Sequence, residues 1–181
     1  MVSRARGSDI RVAPTHEVET SAEILEAAAA RGASDGMPSW EPGVFTGTES
    51  VGMLRLRSDA ERDGLYLVWC GDRAVATFSL LESDARYWPT AGDDALYLHR
   101  FAVRTEAAGV GRFAIEWMVS EARRRGRSYI RLDCLAENSG IRRYYERCGF
   151  TAVDAMVIDE IRYSLYEMAV TDGSSLAAFE R

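Results

Sequence analysis

The residues from Leu96 to Gly111 could hold a phosphate without a dedicated basic side chain. Leu96-Tyr-Leu-His-Arg-Phe-Ala-Val103 is an apolar run of strand length, and Glu106-Ala-Ala-Gly-Val-Gly111 turns from it into a helix carrying Phe113, Ala114, Trp117, Met118 and Ala122. A strand feeding a glycine loop at a helix N-terminus aims backbone N–H groups and the positive end of the helix dipole at one place, which suits an anion. Metal chemistry has less to work with. Only His16 and His99 supply imidazoles, and Cys70, Cys134 and Cys148 are far apart with no CxxC pair. Four ligands at structural-zinc spacing are not found, so no metal is expected. Three reduced thiols in a cytoplasmic protein are the plain reading.

The elements that must position this unit can be read along the chain. Asp9–Ala13 suggests a first strand, stopped by Pro14, and Glu19–Arg31 a helix with Ile24, Leu25, Ala28 and Ala29 on one face and Gly32 at its end. A glycine-rich loop with Trp40 and Phe45 follows, and then a second helix over about Glu49–Asp63. Leu65–Cys70 and Arg73–Leu81 flank Gly71-Asp72, a tight hairpin. Beyond a polar loop with Tyr87 and Trp88 come the fourth strand, the glycine loop and a long helix ending near Gly126. A fifth strand over Ser128–Leu135, a short helix over Ser139–Cys148 and closing strands over Thr151–Ile158 and Ile161–Val170 complete the order. That order predicts one mixed α/β sheet of about seven strands, with a helical crossover to a parallel fifth strand.

Size and charge bound the function. With 181 residues, 47% of them hydrophobic, the chain fits a single domain over residues 9–170, between a frayed leader at 1–8 and a loose tail at 171–181. The leader lacks the apolar centre of a secretory signal, and no run of about 18 apolar residues predicts a membrane span. The net charge of −6, from 22 basic and 28 acidic side chains, argues against a nucleic-acid partner. It is compatible with attracting a cationic amine.

Taken together, Leu98-His-Arg-Phe-Ala-Val103 leading into Ala108-Gly-Val-Gly-Arg-Phe113, Asn138 after the fifth strand, and Tyr145-Glu-Arg-Cys-Gly-Phe150 resemble the GNAT superfamily of acyl-CoA-dependent N-acyltransferases. The resemblance implies a GNAT-like fold with a splay between the fourth and fifth strands, acetyl-CoA as acyl donor, and a small-molecule primary amine as acceptor. The family's diphosphate loop, (Arg/Gln)-x-x-Gly-x-(Gly/Ala), falls on Ala108, Gly111 and Phe113, and only the middle glycine is kept. A non-catalytic acyl-CoA sensor or scaffold, or an enzyme of other chemistry without CoA, is the alternative this departure leaves. A homodimer through strand edges or the Trp-rich loops is compatible with the sequence.

Acyl transfer to an amine needs a neutral nucleophile, and deprotonating an alkylamine at pH 7 costs about 4–5 kcal/mol. The resemblance implies His99 as the base and Tyr145 as the acid that protonates the departing thiolate, and Glu82, at the end of the third strand, is the reserve base. It also implies that the backbone of Phe101, Ala102 and Val103 pairs with the pantetheine arm. The diphosphate would meet Ala108, Gly109, Val110, Gly111, Arg112 and Phe113. Asn138 either hydrogen-bonds pantetheine or caps its helix, with Ser139 as the other cap candidate. Trp40, Phe45, Tyr87 and Trp88 are candidates to line the acceptor pocket. No Cys-His pair offers a covalent route, so direct attack is expected.

Overall fold

In this computed structural model, which describes residues 10–90, 92 and 94–170, the chain forms the mixed α/β sheet that the sequence predicts. The predicted leader at 1–8 and tail at 171–181 lie outside the described residues. In chain order the elements are β1 (Ile10–Pro14), α1 (Val18–Ser34), α2 (Val51–Glu61), β2 (Leu65–Cys70), β3 (Arg73–Leu81), β4 (Ala95–Val103), α3 (Val110–Arg124), β5 (Tyr129–Leu135), α4 (Ser139–Arg147), β6 (Thr151–Ile158) and β7 (Ile161–Ala169). Hydrogen bonding orders the seven strands β1-β2-β3-β4-β5-β7-β6. By contact density the chain divides into two compact units, one spanning Met1–Leu80 and His99–Gly111, the other Leu81–Leu98 and Arg112–Arg181. The boundary falls within β4.

The first unit is built on an antiparallel meander. β1 pairs with β2, and β2 with β3, through a two-residue turn closed by the Cys70↔Arg73 pair. Gly71 supplies the positive φ, +58°, that the first central position of such a turn needs. Two helices bury their apolar stripes on this sheet. Ile24 and Leu25 of α1, Met53 and Leu56 of α2, and Leu65 and Leu67 of β2 meet in one core, which also takes in Phe45 from the loop. Helix α1 does not stop at Gly32. It runs on to Ser34, and the Gly32 carbonyl accepts from Met37 N at 2.9 Å. Helix α2 starts on Ser50, whose hydroxyl accepts from Met53 N at 3.2 Å and so satisfies a first-turn donor.

The second unit holds the parallel pair. Ala95 to Leu98 of β4 lie beside Tyr129 to Leu132 of β5, and β5 pairs antiparallel with β7 on its other edge. The ladder between β4 and β5 ends at Leu98↔Leu132, although β4 runs on to Val103 and β5 to Leu135. Helix α3 packs Ile115, Met118 and Ala122 inward, all fully buried. The β6–β7 hairpin turns through Asp159 and Glu160, both at positive φ (50° and 66°), a mirror-image turn made without glycine.

Candidate active site

Tyr145 is the buried residue of α4, 6% exposed, and its neighbour Tyr144 is half-buried. Its ring packs edge-on against Phe150 at 5.5 Å and lies 6.4 Å from Tyr166, a fully buried residue of β7. Tyr166 also ties down the helix: its hydroxyl donates to Glu146 at 2.8 Å and accepts from Arg142 Nε at 3.2 Å. Arg142 and Glu146 stand one turn apart on the same face of α4, so both reach that one hydroxyl. Burial, and next the Cys134 side chain, push the Tyr145 hydroxyl well above the usual phenol range. It therefore carries its proton at every working pH.

Asn138 is 8% exposed and caps α4, its Oδ1 accepting from Ile141 N at 3.0 Å, while Ser139 is the first helical residue. Of the two cap candidates, Asn138 does the capping. Cys134, on β5, is buried, and burial together with Asp133 raises its thiol to about 12. Burial also raises Cys148. Neither sulfur is ionised near neutrality, so neither is a ready nucleophile.

Glu82 follows β3 in the second unit, held between two guanidiniums, Arg125 at 2.8 Å and Arg127 at 2.5 Å. Partial burial opposes ionisation, but these two hydrogen-bonded cations outweigh it and hold the carboxyl below the usual range. The arginine-rich stretch after α3 is thereby occupied, since Arg124 and Arg125 also clasp Glu121. Tyr87 stacks edge-on with Tyr163 at 5.0 Å, and Trp88 carries the Arg131 guanidinium 5.1 Å above its ring. Arg112 pairs along α3 with Glu116 at 3.1 Å, and Phe113 is half-buried on the same helix.

In the first unit His99 opens the second half of β4. It is only half-buried by surface area, yet closely surrounded. Burial lowers its imidazole to about 3, and the nearby Arg100 and Arg55 charges add to that. Ala102 is buried, whereas Phe101 and Val103 are half-buried. Phe101 sets its ring edge-on to Phe78 at 6.1 Å, and the Val103 carbonyl accepts from Arg31 of α1 at 3.4 Å. Ala108 and Gly109 are exposed. Gly109 has φ +88°, and a Cβ built on it would meet nothing within 4 Å, so the backbone faces open space there. Val110 and Gly111 are buried at the start of α3, and Val110 N donates back to the Ala107 carbonyl at 3.2 Å. Of the two loop aromatics, Phe45 is 5% exposed and belongs to the core, with Trp40 edge-on to it at 5.6 Å. Phe45 also lines a groove of about 470 Å³ shared with Ala22, Ala27, Met53 and the carboxylates of Glu19 and Glu23.

The first unit thus gathers His99, Phe101 to Val103 and the glycine loop. The second gathers Tyr145, Asn138 and Cys134 around α4. Two residues without a place among the sequence candidates stand out. Arg100 adopts φ +49° within β4, and its guanidinium pairs with Asp59, a 2% exposed carboxylate on α2. Asp59 sits three residues after Leu56 and one before Ala60, on the inward face of its helix, and that position was the available signal.

Residues 35–150 match the family model described as Acetyltransferase (GNAT) family. A curated relative, the uncharacterized N-acetyltransferase YesJ of Bacillus subtilis (strain 168), is 31% identical over 116 residues, 60% of this chain and 63% of its own length. The chain therefore spans less than two thirds of that relative. Among solved structures, a GNAT-family acetyltransferase from Listeria monocytogenes superposes with a TM-score of 0.68 at 18% identity, covering 88% of this chain and 94% of that one. The yncA protein of Salmonella typhimurium, solved with its cofactor acetyl-CoA, gives 0.58 at 14% identity, covering 94% and 99%. At these identities the structural likeness speaks for the fold. Among the described residues, no helix is long and apolar enough to cross a membrane.

Proposed function

This chain belongs to the acetyltransferase (GNAT) family, and from that premise we propose that it moves an acetyl group from acetyl-CoA directly to a primary amine of a small molecule. The observation that carries the reading is the family match over residues 35–150, together with Tyr145, set on the buried face of α4 beside Phe150 and Tyr166. The Tyr145 hydroxyl, raised by burial, is protonated near neutral pH, the state from which a phenol could donate to a departing thiolate. Acetyl-CoA supplies an activated carbonyl and a stable thiol leaving group. The residues that would hold it are the backbone of Phe101, Ala102 and Val103, the glycine loop from Ala108 to Gly111, Arg112, Phe113 and Asn138. The loop fits an anion, because Gly109 presents main chain to open space at the head of α3.

The two candidate bases differ in what they offer. Glu82 is engaged by Arg125 and Arg127, which stabilise its anion and weaken it as a proton acceptor. His99 is a neutral imidazole at pH 7, ready to accept a proton but weakly basic. Against an alkylammonium near 10.4 its deficit of about seven pKa units makes outright proton removal cost on the order of 10 kcal/mol. In this reading the amine reacts from its neutral fraction. His99 takes the proton once the new bond has made the nitrogen more acidic, and the rate constant kcat/KM rises with pH without a break near 6.5. The protonated thiols of Cys134 and Cys148 support direct transfer, and three free cysteines support a cytoplasmic location.

Release of free CoA with a panel of amines tests the proposal. Tyr145→Phe is expected to lower kcat by about 100-fold or more and His99→Ala by less, with acetyl-CoA affinity nearly kept. No CoA release with any amine, from protein that binds acetyl-CoA, would overturn catalysis and favour an acyl-CoA sensor. A dissociation constant weaker than millimolar would favour a scaffold or other chemistry, with Ala108 and Phe113 as the reason. Phe113→Gly recovering affinity would assign that loss to the ring.

A further inference from the structure

The left-handed residue inside β4 is the least expected local feature of the first unit. Arg100 is a long-chain residue at φ +49°, a conformation disfavoured for side chains bearing a Cβ. It comes two residues after the β4–β5 ladder ends at Leu98. Nothing in Leu98-His-Arg-Phe101 asks for this turn, so something beyond the strand must impose it.

The candidate is Asp59. Its carboxylate, 2% exposed on α2, accepts from Ser79 Oγ of β3 at 2.6 Å and from the Arg100 guanidinium, with Arg62 at 3.4 Å on its other oxygen. Ser79 is fully buried and the Arg100 side chain is 14% exposed. A buried ion pair is weak evidence for stability, because desolvating both charges offsets their attraction, but it can select one geometry among several. Here the pairing is incomplete as stabilisation. Arg100 Nε is buried and finds no hydrogen-bond partner among the described residues. The contact fixes where the guanidinium goes, and through it the backbone of residue 100. His99 and Phe101 flank that residue, and a strand whose torsions reverse at one position re-aims the groups on either side.

We propose that Asp59 is a positioning residue for the acyl donor. By clamping Arg100 it holds the left-handed turn of β4, which sets the direction of the His99 imidazole and of the main-chain groups of Phe101 to Val103. This rests on the acetyl-CoA reading above for its functional half, while the clamp itself concerns the free protein.

The test separates positioning from mere stabilisation by exploiting glycine, which takes a positive φ without a clamp. Three variants are compared with wild type by calorimetry with acetyl-CoA: Asp59→Asn, Asp59→Asn/Arg100→Ala and Asp59→Asn/Arg100→Gly. Thermal melts establish that each is folded. Both double variants lack the ion pair, so a purely stabilising role makes them equivalent. The clamp predicts that the alanine double variant binds acetyl-CoA about tenfold more weakly than the glycine one, which recovers to within a few-fold of wild type. In free protein, Asp59→Asn should shift the three-bond HN–Hα coupling at Arg100 and speed amide exchange from His99 to Val103. Equal affinities of the two double variants, or an unchanged coupling in Asp59→Asn, would overturn the clamp. Wild-type protein that fails to bind acetyl-CoA would instead sink the functional reading and leave the coupling to decide the clamp.

Discussion

The two halves of β4 are held by different physics. Ala95 to Leu98 are all buried and sit in register with β5, so ladder hydrogen bonds and apolar burial both fix them. His99 to Val103 are mostly half-buried and carry a left-handed residue. Side chains from other elements hold them: Asp59 on Arg100, Arg31 on the Val103 carbonyl, and Phe78 against Phe101. Past Leu98 this half has no ladder with β5, and β3 remains its one strand neighbour. The polar anchors on it specify direction more than they stabilise.

Substitutions can sharpen this contrast. Leu98→Ala, in the laddered half, should lower stability by about 2–5 kcal/mol in urea denaturation and leave the acetyl-CoA KM of folded protein unchanged. Acidification should reveal the other half. With His99 at about 3 in the native state and 6.5 unfolded, the unfolded chain binds the extra proton between those values. Stability should therefore fall as pH drops below 6.5, by at most about 1.4 kcal/mol per pH unit. His99→Gln should flatten that slope between pH 6.5 and 5, above the range where Glu82 and Glu121 begin to protonate. Gly109→Ala, in the loop that β4 feeds, should cost about 1 kcal/mol from its positive φ alone and raise the acetyl-CoA KM several-fold. The smallest effect belongs to Arg31→Ala. Its 3.4 Å bond is long, so the loss should stay below about 1 kcal/mol, seen as faster amide exchange near Val103.

Periodicity carried the fold because burial is local in sequence. The continuous apolar runs of Leu65–Cys70 and Arg73–Leu81 and the apolar stripe of α3 place those elements within a residue or two of where they lie. The Gly71-Asp72 turn announced itself through its glycine. The corner at Asp159-Glu160 was placed by the two closing strands that bracket it, whereas its left-handed torsions were not announced, since no glycine marks them. The burial of Tyr145 on α4 was legible through its helical spacing and the Gly-Phe punctuation that fixes its frame. Asn138 and Ser139 could not be separated in advance, since either side chain can cap and only the backbone entry angle decides. Arg100 was illegible for a deeper reason. Its conformation is dictated by Asp59, 41 residues earlier in the chain, and no propensity within the strand reports it.

The Asp159-Glu160 corner has a practical side. Joining β7 to β6, the last strand in the sheet order, it carries two torsions that an Asn-Gly pair would relax. The cost would be one exposed ion pair between Arg86 and Asp159, a contact that typically contributes under about 1 kcal/mol. Anyone seeking a hardier preparation for crystallisation or long assays could begin at that corner and leave every residue assigned to acetyl transfer untouched.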